Sequence, residues 1–199
     1  MHNLRIKLIL AFLSAVIIPS FFTAILSIKE TKEFTKSSFT HAFNNEVRQI
    51  DKGISQMFKL IGGNVTLLSK SPLLEESHQD ISIYIDKPAS LMSPLATESK
   101  EADLYRKFLE ISSSFNDFSY IYFGTTLGGY TQWPAGNTTD NYDPRMRSWY
   151  TTGIEGDGKI TRVPAYYWAA DNSTIISTVK QVTNKNGDNI GVIGIDVTL

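Results

Sequence analysis

The chain has 199 residues, of which 42% are hydrophobic and 20% are charged. This composition is typical of a folded protein and excludes a wholly disordered chain or a collagen-like fibre. The 19 basic and 20 acidic residues give a net charge of −1. Nucleic-acid-binding proteins usually carry a basic excess, so we expect no nucleic-acid partner. Cysteine is absent, which excludes disulfides, thiolate zinc sites and cysteine nucleophiles.

An apolar segment near the N-terminus predicts a membrane helix over residues 8–28. The segment contains no charged residue, and about 20 apolar residues span the hydrocarbon core of a bilayer as a helix. Arg5 and Lys7 precede it, so residues 1–7 are predicted to be a cytoplasmic tail, with the rest of the chain outside. A cleaved signal peptide is the alternative, because small residues lie near the end of the run. The run is nevertheless longer than the apolar region typical of signal peptides.

The residues after the membrane helix predict a long stalk helix over 29–70. Apolar side chains recur every three or four residues, which is the pattern of an amphipathic helix, and Pro72 ends it. This apolar seam has two interpretations that the sequence leaves equally open. It pairs with a second copy of the chain, giving a homodimer, or it is core within one chain. The seam residues are Phe43, Val47, Ile50, Ile54, Met57, Ile61, Val65 and Leu68.

The remaining residues, 71–199, predict one α+β module. Residues 71–98 contain three prolines and are interpreted as loops around one short element. A helix is predicted next, and then the periodicity changes to that of antiparallel strands with helices on one side of the sheet. Ala169 to Ser173 is predicted to connect two of the strands as a hairpin. The predicted helix is 99–115, and the predicted strands are 118–123, 130–133, 160–168, 174–182 and 189–197.

The ten residues NYDPRMRSWY, which begin at Asn141, carry the most informative pattern. Asp143 suits a helix N-cap and Pro144 the first helical position, so one short helix is predicted here. On that helix Arg147 and Tyr150 share a face. A guanidinium holds a carboxylate through two parallel hydrogen bonds, and neighbouring aromatic rings exclude water. The alternative is an ordinary helix whose aromatic residues fill the core and whose arginines are solvated.

Enzymatic and metal-dependent functions find no support in the sequence. The three histidines are far apart, and neither an HExxH nor a GxSxG motif occurs. A nucleophile next to a base, or a pair of placed carboxylates, is therefore not evident. We expect a binding protein with neither a cofactor nor a metal.

The NYDPRMRSWY segment resembles the YDPRxRxWY signature of double Cache sensor domains. These are extracytoplasmic ligand-binding modules of bacterial chemoreceptors and kinases. The predicted order of a membrane helix, a long helix and a PAS-like antiparallel sheet is also similar. The resemblance implies an inner-membrane sensor of methyl-accepting chemotaxis proteins that binds a small molecule, with most of the chain extracytoplasmic. The sensor portion of a histidine kinase or a diguanylate cyclase is the alternative.

Within that family, one subset binds amino acids through a fixed set of side chains. By resemblance, Tyr142, Arg147, Trp149 and Tyr150 match its first cluster. The resemblance assigns the ligand α-carboxylate to Arg147, Trp149 and Tyr142. A ligand with another carboxylate or amine remains an alternative.

The resemblance places the ammonium of the ligand elsewhere in the sequence. An aspartate is expected on the last strand, where Asp196 fits, and a tyrosine is expected on the strand after the short helix. Tyr166 matches that tyrosine best, with Tyr167 as the neighbouring alternative. Asp196 and Tyr166 would then hold the ammonium through charge pairing and ring contact. A pocket with both charges selects a zwitterion.

The sequence departs from the family in two ways. Trp168 occupies a position where the family often has an acidic residue, which predicts a different pocket rim. The resemblance also implies a membrane-proximal module, a second membrane helix, a HAMP segment and an output domain. None of these follows within the 199 residues, so we expect an N-terminal fragment that holds the membrane-distal module.

Overall fold

The structure is a computed structural model that describes residues 2–115, 117–168 and 172–198, apart from the side chains of His2 and Asn3. The chain divides into two compact units, the first comprising Met1–Gln56 and the second Met57–Leu199.

The first helix, α1, runs continuously over His2–Ser69 with Pro19 inside it. Its N-terminal part is long and apolar enough to cross a membrane, and the large apolar side chains between residues 8 and 28 are all exposed. Proline is tolerated in membrane helices because neighbouring groups satisfy the freed carbonyl. The predicted membrane helix and the predicted stalk therefore form one helix.

Within its described residues, the second unit contains three further helices, a 3₁₀ helix and one antiparallel sheet. These elements are α2 (Pro72–Ser77), α3 (Lys100–Ser114), β1 (Tyr120–Thr125), β2 (Tyr130–Trp133), the 3₁₀ helix (Pro144–Met146), α4 (Ser148–Glu155), β3 (Thr161–Arg162), β4 (Tyr166–Trp168), β5 (Ser173–Thr183) and β6 (Asn189–Thr198). The strand order is β2-β1-β6-β5-β3, and β4 also pairs with β5.

Helices cover both faces of the sheet. On one face the C-terminal end of α1 packs with α2 and α3 around an apolar cluster that includes Val65, Phe108 and Ile195. On the other face α4 packs against the sheet, because Gly153 has no Cβ that would meet Val192 at 2.4 Å. The α+β fold is confirmed, and the prediction that helices lie on one side only is wrong.

The predicted elements agree with the structure where the local signals are strong. Strand β2 has the predicted bounds, and α3 begins after Ser99, whose side chain accepts a hydrogen bond from the backbone N–H of Ala102. The single strand predicted over 160–168 is instead two short strands, β3 and β4. Pro164 lies between them and cannot donate to a strand partner. Residues 169–171 of the predicted hairpin lie outside the described residues.

The apolar seam of α1 has two different environments. In the second unit, Ile61, Val65 and Leu68 belong to the apolar cluster under the sheet. In the first unit, the seam residues Phe43 through Ile54 are exposed. The interpretation as core within one chain therefore holds for the last turns of α1, and its earlier turns present an uncovered apolar stripe.

Candidate ligand-binding site

The face of the sheet beneath α4 carries a cavity of about 250 Å³. Its lining is mostly aromatic and includes one arginine and one carboxylate among the described residues. Strands β1, β2, β4 and β6 supply the floor, while residues on either side of the 3₁₀ helix and the start of α4 supply one wall. The lining residues are Tyr120, Tyr122, Tyr130, Gln132, Thr139, Tyr142, Arg147, Ser148, Trp149, Tyr166, Trp168 and Asp196.

Strand register brings Asp196 onto the floor of the cavity. In the sheet, Asp196 lies directly opposite Tyr120 of β1 on one side and Ser177 of β5 on the other. Tyr122 lies opposite Gly194, where an added Cβ would come within 2.4 Å of the tyrosine ring. Because Gly194 leaves this space, the Tyr122 hydroxyl reaches across β6 and donates to Asp196 Oδ1 at 2.7 Å.

The Asp196 carboxyl is buried without a cationic partner. Its residue is 4% exposed, and it makes no ion pair within the described part of the chain. Burial raises the pKa of Asp196 to about 7, although hydrogen bonds with Ser177 and Tyr122 act in the opposite direction. A cation bound beside this carboxyl would relieve the cost of its burial.

Arg147 lines the same cavity and also makes no ion pair with the described residues. Its guanidinium carbon lies 4.4 Å from the centre of the Tyr142 ring. Its Nη2 donates to Thr139 Oγ1 at 3.1 Å. Its Nε is buried and has no hydrogen-bond partner in the described part of the chain. An anion with two oxygens would use this unsatisfied donor, because a guanidinium binds carboxylates in a bidentate manner.

The backbone around Arg147 differs from the prediction of one short helix. Asp143 caps a 3₁₀ helix by accepting from the backbone N–H of Arg145 at 2.9 Å. Arg147 follows with φ −91° and ψ 144°, which is extended, and α4 begins only at Ser148. The single helix predicted here is therefore wrong, and with it the prediction that Arg147 and Tyr150 share a helical face.

Five of the six predicted site residues line the cavity, and Tyr150 does not. The five are Tyr142, Arg147, Trp149, Tyr166 and Asp196. Tyr150 is buried beside the cavity wall, with its ring 5.6 Å from that of Trp149. It lies close to Gly124, where an added Cβ would come within 3.3 Å of its ring. Tyr150 therefore packs against Trp149 without lining the cavity.

Strand β4 separates the two tyrosines that the sequence left as alternatives. Tyr166 lines the cavity and its hydroxyl is 3.3 Å from Ser177 Oγ. Burial raises the pKa of Tyr166 to about 12, and the Asp196 charge acts in the same direction. Tyr167 points to the other face of the strand, is 63% exposed and donates to Asn172 Oδ1.

Sequence reasoning missed several lining residues, including three tyrosines of the sheet. Tyr120 and Tyr122 are two apart in β1 and therefore share a face, which the sequence alone would show. That this face is also the face of Asp196 depends on pairing between strands more than 70 residues apart. The remaining missed residues are Tyr130, Gln132, Thr139 and Ser148, with Trp168 noted only for the pocket rim.

Comparison with curated proteins identifies chemotaxis receptors. The methyl-accepting chemotaxis protein PscA of Pseudomonas syringae is 30% identical over 110 residues, which cover 55% of this chain and 17% of that protein. McpB of Bacillus subtilis is 29% identical over 51% of this chain and 15% of its own length. A probable methyl-accepting chemotaxis protein of Bacillus thuringiensis is 21% identical over 99% of this chain and 26% of its own length. The chain is similar to methyl-accepting chemotaxis proteins.

These relatives are much longer than the segments they share with this chain, which make up about a quarter of their length or less. No protein-family model matches the chain. Among solved structures, one similar fold is the ligand-binding domain of the Pseudomonas aeruginosa amino-acid chemoreceptor PctC in complex with GABA. The match covers 74% of this chain and 61% of the PctC chain, at 20% identity and a TM-score of 0.45. Another is the ligand-binding domain of the Pseudomonas fluorescens chemoreceptor CtaA in complex with L-alanine. This match covers 74% of this chain and 59% of the CtaA chain, at 24% identity and a TM-score of 0.43.

Proposed function

We propose that the chain is a membrane-anchored sensor module that binds a small zwitterion of the amino-acid class for chemotaxis. One observation carries the proposal: Arg147 and Asp196 line the same aromatic cavity, and neither charge is paired within the described residues. Asp196 is buried, and leaving its charge unpaired is costly. A ligand with both charges would compensate Asp196 and also pair with Arg147. The similarity to methyl-accepting chemotaxis proteins supports the signalling role.

In the proposed complex, each charged group takes one end of the ligand. The guanidinium of Arg147 holds the α-carboxylate, with the Trp149 and Tyr142 rings excluding water around it. Asp196 holds the ammonium, together with the ring and hydroxyl of Tyr166. Binding, rather than catalysis, is the role we assign, because the relatives are chemotaxis receptors.

The ligand is tested by thermal shift on the full chain in detergent against each of the twenty common L-amino acids. A bound ligand raises the melting temperature because it stabilises only the folded state. For the amino acid with the largest shift, calorimetry on Arg147→Ala should show an affinity at least about thirtyfold lower. Truncating one partner of a buried charge pair costs about 2–5 kcal/mol. Asp196→Ala should lose a similar factor.

Arg145→Ala is the matched control, because Arg145 pairs with Asp143 at 2.8 Å and does not line the cavity. This variant should bind nearly as the unmodified chain does. Equal affinities of Arg147→Ala and Arg145→Ala would overturn the proposed site, as would the absence of a thermal shift with every amino acid.

We also propose that the exposed stripe of α1 pairs two copies of the chain. Phe43, Val47, Ile50 and Ile54 are exposed apolar residues at near-heptad spacing. Single cysteines at Ile50 and Ile54 should cross-link between chains in membranes, and cysteines at Gln49 and Lys52 much less. Equal cross-linking at all four positions would contradict the pairing.

The proposed orientation places the N-terminus in the cytoplasm, because Arg5 and Lys7 precede the apolar segment without an accompanying acidic residue. A reporter fused after Leu199 should be active only if it works in the periplasm. Activity of a cytoplasm-only reporter at that position would overturn this orientation.

A further inference from the structure

The second unit contains another cavity, which shares no lining residue with the aromatic one. Its volume is about 350 Å³, and it lies between the end of α1, the start of α2 and the turn from β5 to β6. Val182 and Ile190 of the apolar cluster form part of its wall. The charged side chains that line it are Lys70, Lys180, Lys185 and Glu75.

The alternation of β5 directs Lys180 towards this cavity. Lys180 and Val182 are two apart in the strand, so their side chains leave it on the same face. That face is the one covered by α1 and α2, because Val182 belongs to the apolar cluster. Lys180 is half-buried and makes no ion pair with a described residue. Partial burial of an unpaired ammonium costs free energy, and a bound anion would reduce that cost.

Two more lysines reach the cavity from other parts of the chain. Lys70 directly follows α1, and Lys185 lies in the turn between β5 and β6. Neither makes an ion pair within the described part of the chain. Glu75 is the one carboxylate among the described lining residues, so the cavity has an excess of positive charge. A cleft lined by one sign of charge concentrates ions of the opposite sign.

This positive excess is local. Residues 57–199 contain fewer basic than acidic residues, so a general basic composition does not explain three lysines around one cavity. They come from positions more than 100 residues apart in the sequence, and the fold brings them together. Like charges held near one another repel, and a bound anion would offset that repulsion.

Ser71 adds an uncharged donor to the lining. It is the N-cap residue of α2, but its side chain makes no capping hydrogen bond. A serine at this position usually accepts a hydrogen bond from a backbone N–H of the first turn. Its hydroxyl therefore remains available to donate to a bound anion.

We infer that this cavity is a second binding site, for a small soluble anion that carries phosphate groups. Lysine ammonium groups bind phosphate as compact point charges. A diphosphate or a phosphate ester has enough negative oxygens to meet three lysines and a serine hydroxyl, whereas a monocarboxylate has two. A zwitterionic amino acid, which has no net charge, does not match this lining. The site is separate from the aromatic cavity and goes beyond the proposed function.

The test is calorimetry on the full chain in detergent, in metal-free buffer, with pyrophosphate, glycerol 3-phosphate and acetate. We expect pyrophosphate and glycerol 3-phosphate to bind at least about tenfold more tightly than acetate, because charge-assisted hydrogen bonds are the strong ones. Absence of binding by both phosphate compounds would overturn the inference and leave the proposed function intact, since amino-acid binding is measured separately. If phosphatidylglycerol added to the detergent displaces pyrophosphate, the site takes lipid headgroups and the inference of a soluble ligand is wrong.

Three variants test the cavity itself. Lys180→Met removes the half-buried charge and should lower the affinity for pyrophosphate about tenfold. Lys59→Met is the matched control, because Lys59 is also exposed to solvent on the second unit but lines neither cavity, and it should bind normally.

Glu75→Gln removes the one carboxylate and should raise the affinity about threefold. A gain of this kind cannot come from unfolding. Equal affinities of Lys180→Met and Lys59→Met, or an unchanged affinity in Glu75→Gln, would mean that pyrophosphate binds to the protein only non-specifically, and the site would be wrong.

Discussion

The two faces of the sheet carry side chains of different chemistry. On the face covered by α1, α2 and α3, the strands contribute Ile121, Phe123 and Ile195 to an apolar cluster closed by Leu104 and Phe108. On the face covered by α4, the same strands contribute tyrosines and Asp196 around a cavity. The first face is packed mainly with aliphatic and aromatic side chains, as a stabilising core requires. The second keeps charge and open space, which a binding site requires.

The largest expected effect lies on the apolar face. Phe108→Ala removes a fully buried ring of α3, and such truncations cost about 3–5 kcal/mol of folding free energy. Urea denaturation followed by tryptophan fluorescence measures this loss. Affinity for an amino acid should stay unchanged in the molecules that remain folded, because Phe108 does not line the cavity. A loss below about 1 kcal/mol would show that this face is not the main source of stability.

On the cavity face, a single methyl group should be harmful. Gly194→Ala places a Cβ within 2.4 Å of the Tyr122 ring, so the ring must move and its hydrogen bond to Asp196 is lost. Overpacking of this kind costs about 1–3 kcal/mol, and ligand affinity should fall with it.

Gly63→Ala is the control for this substitution, because nothing lies within 4 Å of the added Cβ and alanine favours a helix. It should be neutral or slightly stabilising when the melting temperatures of both variants are measured. Normal affinity in Gly194→Ala would mean that the position of Tyr122 is unimportant for the site.

Ligand affinity should depend on pH through Asp196. Its pKa, raised by burial to about 7, leaves the carboxyl largely neutral below that pH, and a cationic ligand group prefers the ionised form. Affinity therefore rises as pH increases through 7 and levels off above it. It should be about tenfold lower at pH 6 than at pH 8, from the ionised fractions alone. Calorimetry at both values measures the ratio, and Asp196→Asn should abolish the dependence.

The smallest expected effect belongs to the exposed ion pair beside the cavity. Arg145 bonds Asp143 through two nitrogens, but its side chain is 42% exposed. Pairs of this kind contribute about 0–1 kcal/mol, so Arg145→Ala should shift the melting temperature by a few degrees at most. A large loss would mean that the 3₁₀ helix depends on this pair.

The sequence predicted those helices and strands whose formation depends on residues close together in the chain. The helical pattern over 99–115 and the strand pattern over 130–133 predicted α3 and β2 with nearly their observed bounds. Arg147, Trp149 and Asp196 were predicted through the resemblance to double Cache sensor domains, and not from local signals. The break before Arg147 was missed, because Asp143 caps a 3₁₀ turn as readily as the first turn of an α-helix.

Properties that depend on distant pairing were beyond sequence reasoning. The contribution of Tyr122 to the cavity requires the register of β1 against β6, together with the absence of a side chain at Gly194. The position of α4 on the second face requires the close approach of Gly153 to Val192. Neither contact leaves a periodic signal along the chain, because its partners are tens of residues apart.

Strand β6 places Ile195 in the apolar cluster and its neighbour Asp196 in the cavity. Successive side chains of a strand point to opposite faces, so a shift of one residue would exchange the two. An inserted or deleted residue within β6 would put a carboxylate in the core and an isoleucine in the binding site. Changes of length between relatives should therefore accumulate in the turn between Thr183 and Asn189, where the pairing register with β5 already shifts. The length of β6 itself should be under strong evolutionary constraint, even where its individual residues vary.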